Sequence, residues 1–191
     1  MYLGIGSRKY YLVTFMDEYS RYLVHHELLT SMDGNSLGLA AQAAIDKLPR
    51  GGDGLPLEKP QIRSDNGSGY ISREFRVVVA GNQMMHVRIR PHCPEENGLV
   101  ERCNRTLREA LEDAPMEDWK TAQNTIGLVI RWYNQERYHR ALGYLKPLNF
   151  YLREPKKLQE ERKLKLLAAR HRRKEMNFGI WQKTLPLVPQ V

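Results

Sequence analysis

The sequence predicts an α/β protein: a mixed β-sheet with helices on its faces. Three observations carry that. Tyr10–Met16 (YYLVTFM) is dense in β-branched and aromatic residues, as a buried strand requires. Leu37, Ala41, Ala44, Ile45 and Leu48 recur at helical spacing, as do Val100, Cys103, Leu107 and Leu111. The segments alternate along the chain as strand, strand, helix, strand, helix, strand, helix, helix, which suits a sheet covered on both sides.

Gly4 and Gly6 precede the first of these strands. Neither a third glycine nor a helix follows them, so the pair predicts a hairpin turn and not a cofactor loop. Asp17–Ser20 supplies turn residues, and Tyr22–Leu29 pairs back as the next strand. The helix through Leu37 is capped by Asn35 or Ser36 and ends at Pro49–Gly52. A Gly/Pro loop covers 50–60, and a short strand runs from Pro60 to Ser64. Ser72–Ala80 reads as a helix, although Val77–Val79 also permits a strand. Met85, Val87 and Ile89 alternate with His86, Arg88 and Arg90, the pattern of a half-buried strand. Helices follow over Leu99–Leu111 and from about Met116 to Tyr138. Lys156–Lys174 is a basic run, and Asn177–Val191, with Trp181, Pro186 and Pro189, reads as irregular.

Composition bounds the function. The chain has 191 residues, 41% of them hydrophobic, enough for one core and an extension. The net charge of +8 favours a polyanionic partner. Cys93 and Cys103 form no CxxC pair and imply no disulfide framework. Neither a membrane-spanning run nor a signal segment is apparent, so a cytoplasmic location is the expectation.

Two acids stand out. Asp65 closes the strand at Ser64 and opens a turn through Asn66 and Gly67. Glu101 falls one helical turn into the helix that follows Asn97-Gly98, with thirty-five residues between the two acids. Cutting and rejoining a phosphodiester uses two Mg²⁺ ions about 3.5–4 Å apart. These take hard oxygen ligands, so carboxylates must converge from rigid elements. Taken singly, Asp65 also suits an Asx turn and Glu101 a helix N-terminus; jointly they suit a metal site. Arg105 and Arg108 share the helix face of Glu101, where an ordinary i,i+4 ion pair is the alternative, and Arg102 adds charge nearby. Glu95 and Glu96 lie in the preceding loop and receive no metal role. His92 and Cys93 are too few ligands for zinc. The loop Pro91–Gly98 is expected to be a mobile segment over the site.

These motifs carry a resemblance. Tyr2-Leu3, then Tyr11-Leu12-Val13 through Asp17-Glu18-Tyr19-Ser20-Arg21, Ser64–Ser68, Pro94–Glu101, and Trp132-Tyr133-Asn134 with Arg137, His139, Ala141–Tyr144 and Pro147 resemble the integrase core of bacterial insertion-sequence transposases, of the DDE transposase and retroviral-type integrase class. The resemblance runs over roughly residues 2–152. It implies a ribonuclease-H-like fold over 1–154, a basic extension over 155–191, and transposition or integration of DNA by metal-dependent polynucleotidyl transfer. It implies Asp65 and Glu101 as catalytic and metal-binding residues, with two Mg²⁺ (or Mn²⁺) ions. Arg102, Arg105, Arg108, Lys156 and Lys157 are its DNA-binding candidates. The partners expected are DNA (transposon ends and target) and further copies of the chain, with no membrane. The region Trp132–Tyr144 is expected to be structural, His139 included.

The sequence departs from the family at one place. The first acidic ligand of the family falls about two residues before Met1, and most or all of a first strand is expected to be lacking. Asp17 matches a separate turn motif and does not replace that ligand. The expectation for the chain as written is little or no strand transfer, and a catalytically dead DNA-binding remnant is the alternative function.

Overall fold

A computed structural model describes residues 1–91, 93–152 and 155–184. Three strands, β1 (Tyr2–Ile5), β2 (Arg8–Met16) and β3 (Leu23–Leu29), form an antiparallel sheet in that order. Two more, β4 (Ile62–Ser64) and β5 (His86–Arg88), pair in parallel. Seven α-helices accompany them among the described residues: α1 (Gly34–Ile45), α2 (Ser68–Ile71), α3 (Arg73–Gly81), α4 (Gly98–Leu111), α5 (Trp119–Gln135), α6 (Pro147–Tyr151) and α7 (Pro155–Thr184).

The layers follow from the two-residue period of β2. Its adjacent residues Leu12 and Val13 are both buried, in different clusters. Leu12 joins Leu3, Ile5, Leu23 and Leu28 beneath Cys103, Leu107 and Leu111 of α4 and Ala122, Ile126 and Ile130 of α5. Val13 joins Leu29 beneath Leu37, Ala41 and Ile45 of α1 and Phe75 and Val79 of α3. The antiparallel sheet is thus sandwiched between two helical layers. A third, smaller cluster of Leu142, Leu145 and Phe150 receives Leu158 at the root of α7.

Several expectations are corrected. Residues 2–5, read as preceding the first strand, are themselves a strand, so at least four residues of a leading strand are present. Leu3 and Ile5 point inward while Tyr2 and Gly4 face out. The hairpin expected at Gly6 is there: Ile5 opposes Arg8, and Gly6 takes φ +56° between them. Helix α1 is capped by Asp33, whose carboxylate accepts from the Ser36 amide at 2.9 Å, and not by Asn35 or Ser36. The alternation proposed for β5 is out of phase at its start, since Met85 is exposed while His86 lies edge-on to Phe75 at 5.0 Å.

Asn177–Thr184 is not irregular but continues α7. Between Pro155 and Pro186 the sequence has no proline to stop the helix earlier. Pro186, Pro189 and the side chain of Trp181 lie outside the described residues. No helix among the described residues is long and apolar enough to cross a membrane.

Candidate active site on the β4 and α4 edge

Asp65 is set by the end of β4. The Ile89 amide donates to Ser64 O at 3.0 Å, and the Asn66 side-chain amide donates to Ile89 O at 3.0 Å, so the strand end is tied on both sides. The exposed Asp65 carboxylate accepts from the Gly67 amide through Oδ1 at 2.9 Å. The Asx turn and an available carboxylate therefore coexist: Oδ2 has no hydrogen-bond partner among the described residues.

Below it lies a contact between side chains twenty-two residues apart. Ser64 Oγ is 2.9 Å from His86 Nε2 and donates to Asp65 O at 2.8 Å. A hydroxyl has one proton, and the Asp65 carbonyl takes it, so His86 must be the donor through Nε2–H. Burial, then Arg88 and Arg76, lower the His86 pKa and favour the neutral ring. Sequence reading missed this pair. No sequence signal links them, since the register sets Ser64 beside Arg88 and His86 beside Ile62.

Glu101 occupies the first turn of α4, which is anchored by Cys103, Leu107 and Leu111, and its carboxylate is exposed. Arg102, Arg105 and Arg108 are also exposed, so the ridge 101–105–108 stands clear of the core as its spacing predicts. The ion pair of Arg105 runs forward, with Nε 4.0 Å from Glu109 Oε1, and not back to Glu101. Burial lowers the pKa of the Met1 amine at the start of β1, Arg108 lowers it further and Asp65 raises it.

The loop before α4 is stapled. Glu96 accepts from the Arg90 amide at 2.8 Å and from Arg90 Nε at 2.6 Å. These hydrogen bonds, with Arg63 contributing more weakly, hold the Glu96 carboxyl below its ordinary range. Pro94–Asn97 forms one 3-10 turn. Glu96 is thus committed to the loop, as its position implied, and the expectation of a mobile segment is modified by this staple. His92 lies outside the described residues. Cys93 is half-buried, with its thiol pKa raised by burial and by Glu95 and Glu96. Burial pushes Cys103 up to about 11, so neither thiol is poised as a nucleophile.

The segment 132–144 is built into the fold. Asn134 is buried, accepts from the Leu23 amide at 2.9 Å and donates to Leu23 O at 3.1 Å, clamping α5 to β3. His139 lies edge-on to Tyr133 at 4.9 Å, with Arg137 3.2 Å from its Nε2. Burial, Arg137 and Arg21 lower its pKa to about 4. Lys156 and Lys157 are exposed in the first turn of α7.

Asp65 and Glu101 offer hard carboxylate oxygens, which suit Mg²⁺ or Mn²⁺ and not a thiophilic metal. Among the described residues no group of three or more His, Cys, Asp or Glu could hold a metal. Carboxylates of this kind hold Mg²⁺ together with water and substrate phosphate where such an ion is bound.

Two models, each described as an integrase core domain, match residues 1–94 and 82–147. Asp65 falls in the first span and Glu101 in the second. The chain is 34% identical over 106 residues to the retrovirus-related Pol polyprotein from transposon TNT 1-94 of Nicotiana tabacum, covering 56% of this chain and 8% of that one. It is 32% identical over 108 residues to the putative transposase InsD for insertion element IS2E of Escherichia coli K12, covering 55% and 48%. The chain thus spans less than half the length of these relatives.

Among solved structures, the HTLV-2 integrase catalytic core domain in complex with magnesium, in its trimeric form, matches with TM-score 0.58 and 20% identity over 78% of this chain and 89% of that one. A chain of the simian T-cell lymphotropic virus intasome in complex with PP2A regulatory subunit B56 gamma matches with TM-score 0.60 and 22% identity, over 73% and 47%. At these identities the likeness concerns the fold, which is that of a retroviral integrase catalytic core.

Proposed function

Since the chain belongs to the integrase core domain family, we propose that residues 1–154 are the catalytic core of a DNA transposase or integrase, with 155–191 as a basic extension. The observation that carries this is the placing of two exposed carboxylates on rigid elements: Asp65 at the end of β4 and Glu101 in the first turn of α4. The integrase core models match across both.

Asp65 presents Oδ2 outward while its Oδ1 is fixed by Gly67. Glu101 presents its carboxylate from a helix held by four buried residues. The chemistry supplied by bound Mg²⁺ or Mn²⁺ is activation of an attacking water or 3′-hydroxyl and neutralisation of the leaving oxygen. Arg102, Arg105 and Arg108 hold the phosphates of the DNA end beside those carboxylates, by charge-assisted hydrogen bonds. Self-association of the chain on paired DNA ends belongs to the same reading.

The test is nicking or joining of duplex oligonucleotides with Mn²⁺. The expected result is a product that disappears in Asp65→Asn and in Glu101→Gln. A product unchanged in both variants contradicts the assignment of the site. Tight DNA binding with no product contradicts the enzyme and supports a DNA-binding protein without catalysis.

A further inference from the structure

Helix α7 is 30 residues long, and its root packs on the remainder of the chain. Pro155 is buried, Leu158 packs on the Leu142–Leu145–Phe150 cluster, and Arg162 lies over the Tyr144 ring at 5.3 Å. From Lys163 to Phe178 every described side chain but Ala169 is exposed. A helix so extended and so bare is marginal in water by itself, so its surface calls for a partner.

The surface also says which partner. Lys156, Lys163, Arg170 and Lys174 are spaced seven, seven and four apart, and so share one ridge. Arg162 and Arg173, and Lys165 and Arg172, widen that ridge to about half the helix circumference, at 100° per residue. Of the acids of this stretch, Glu161 and Glu175 lie on the other side, while Glu160 borders the ridge between Lys156 and Lys163. Glu175 is taken by His171 at 3.4 Å. None of Lys156, Lys163, Arg170 and Lys174 has an ion-pair partner among the described residues.

At the root, a groove of about 420 Å³ runs between α7 and Gly143, lined by Arg162, Lys163, Leu167 and Arg170. Beside it a second exposed aromatic carries a cation, with Lys146 Nζ 5.5 Å from the Tyr138 ring. A membrane surface would need a continuous apolar face, and the exposed leucines at 164, 166 and 167 do not make one. Two copies of the ridge would repel each other. A polyanion meets both conditions.

We propose that the cationic ridge of α7, with the Tyr144–Arg162 and Tyr138–Lys146 pairs at its root, is a second DNA interface that grips the sugar-phosphate backbone of a duplex. The ridge from Lys156 to Lys174 extends about 27 Å at ~1.5 Å per residue. One duplex turn measures about 34 Å. A straight ridge of that length meets phosphates on both sides of a groove, without reading sequence. The inference rests on the DNA-processing reading above but concerns residues outside its carboxylate site.

The experiment is fluorescence-anisotropy titration of the full chain with a 30-base-pair duplex across a NaCl series. It compares the wild type, K163Q/R170Q/K174Q and E160Q/E161Q, with helicity followed by circular dichroism and Mn²⁺ binding measured in parallel. Removing three phosphate contacts lowers the slope of log K against log salt by about 2.7, at ~0.9 per contact. The triple variant is expected to show that loss, an affinity at least tenfold weaker at low salt, and unchanged Mn²⁺ binding. E160Q/E161Q, which removes two acids and no cation, binds as well as or better than the wild type.

An unchanged slope in the triple variant, with DNA still bound by the wild type, overturns the interface and leaves the carboxylate site standing. Loss of self-association in place of DNA affinity overturns it in favour of a protein contact. Equal or tighter binding to a single strand of the same length overturns the duplex assignment. Absent Mn²⁺ binding in the wild type, with the slope change intact, counts against the carboxylate site alone.

Discussion

Ser64 and His86 meet side chain to side chain at 2.9 Å, and the serine hydroxyl donates its own hydrogen bond to the carbonyl of Asp65 at 2.8 Å. The imidazole therefore fixes the peptide that carries the outer carboxylate. A double-mutant cycle of Ser64→Ala and His86→Ala, followed by urea denaturation, is expected to give a coupling of about 0.5–1.5 kcal/mol. Each single variant should also weaken Mn²⁺ binding severalfold. Additive stabilities and unchanged Mn²⁺ affinity would show that the pair does not position Asp65.

Asn134 replaces a missing strand neighbour for Leu23, taking its amide and its carbonyl with one side chain. Asn134→Leu leaves both backbone groups buried without partners. The cost expected from chemical denaturation is about 2–6 kcal/mol, at ~1–3 per group. Asn134→Asp keeps the acceptor, loses the donor and is expected to fall in between.

Gly69 is needed for its lack of a side chain. A Cβ there would lie 2.2 Å from Met32 O and 2.6 Å from Leu37 Cδ1. Backbone on one side and a buried leucine on the other cannot both yield. Gly69→Ala is expected to destabilise by about 1–3 kcal/mol. It should also shift the Asp65 turn, detectable as altered amide chemical shifts over 65–70. A neutral variant would show that α2 sits less tightly on residue 32.

His26 and His139 give the protein a pH dependence. Burial is the main cause in both: His25 and Lys47 add to it at His26, and Arg137 and Arg21 at His139. Each pKa falls from 6.5 to about 4. His25, pressed by burial and Lys47 and opposed by Glu27, is lowered as well. Between those values the unfolded chain binds more protons than the folded one, so stability rises with pH there. Their contribution is fully present above about 6.5 and is lost as pH falls towards 4. Melting temperature is expected to drop across that window, and the drop should shrink in His139→Gln. A flat profile between pH 6.5 and 4 would contradict the burial of these rings.

The elements whose burial repeats with the period of their own secondary structure were legible in the sequence. Leu12 and Val13 face opposite layers, and Cys103, Leu107 and Leu111 make one helical stripe, as their spacing implied. Strand β1 was missed because Gly4 breaks a run of only four residues, and its stability comes from pairing with β2. The cap of α1 was misplaced because Asp33, Asn35 and Ser36 all suit that role, and only geometry selects Asp33. Asp65 and Glu101 were visible through motif and spacing. The Ser64–His86 contact was not, because strand pairing brings together residues that no local pattern links.

The proposed site makes Asp65 and Glu101 ligands of one divalent ion. Isothermal titration of Mn²⁺ into the wild type, Asp65→Asn, Glu101→Gln and the double variant distinguishes a shared site from two independent carboxylates. Each single substitution is expected to remove most of the binding, and the double variant to lose little more, the non-additivity of a shared site. Single variants that bind as the wild type does, or two losses that simply add, would contradict it.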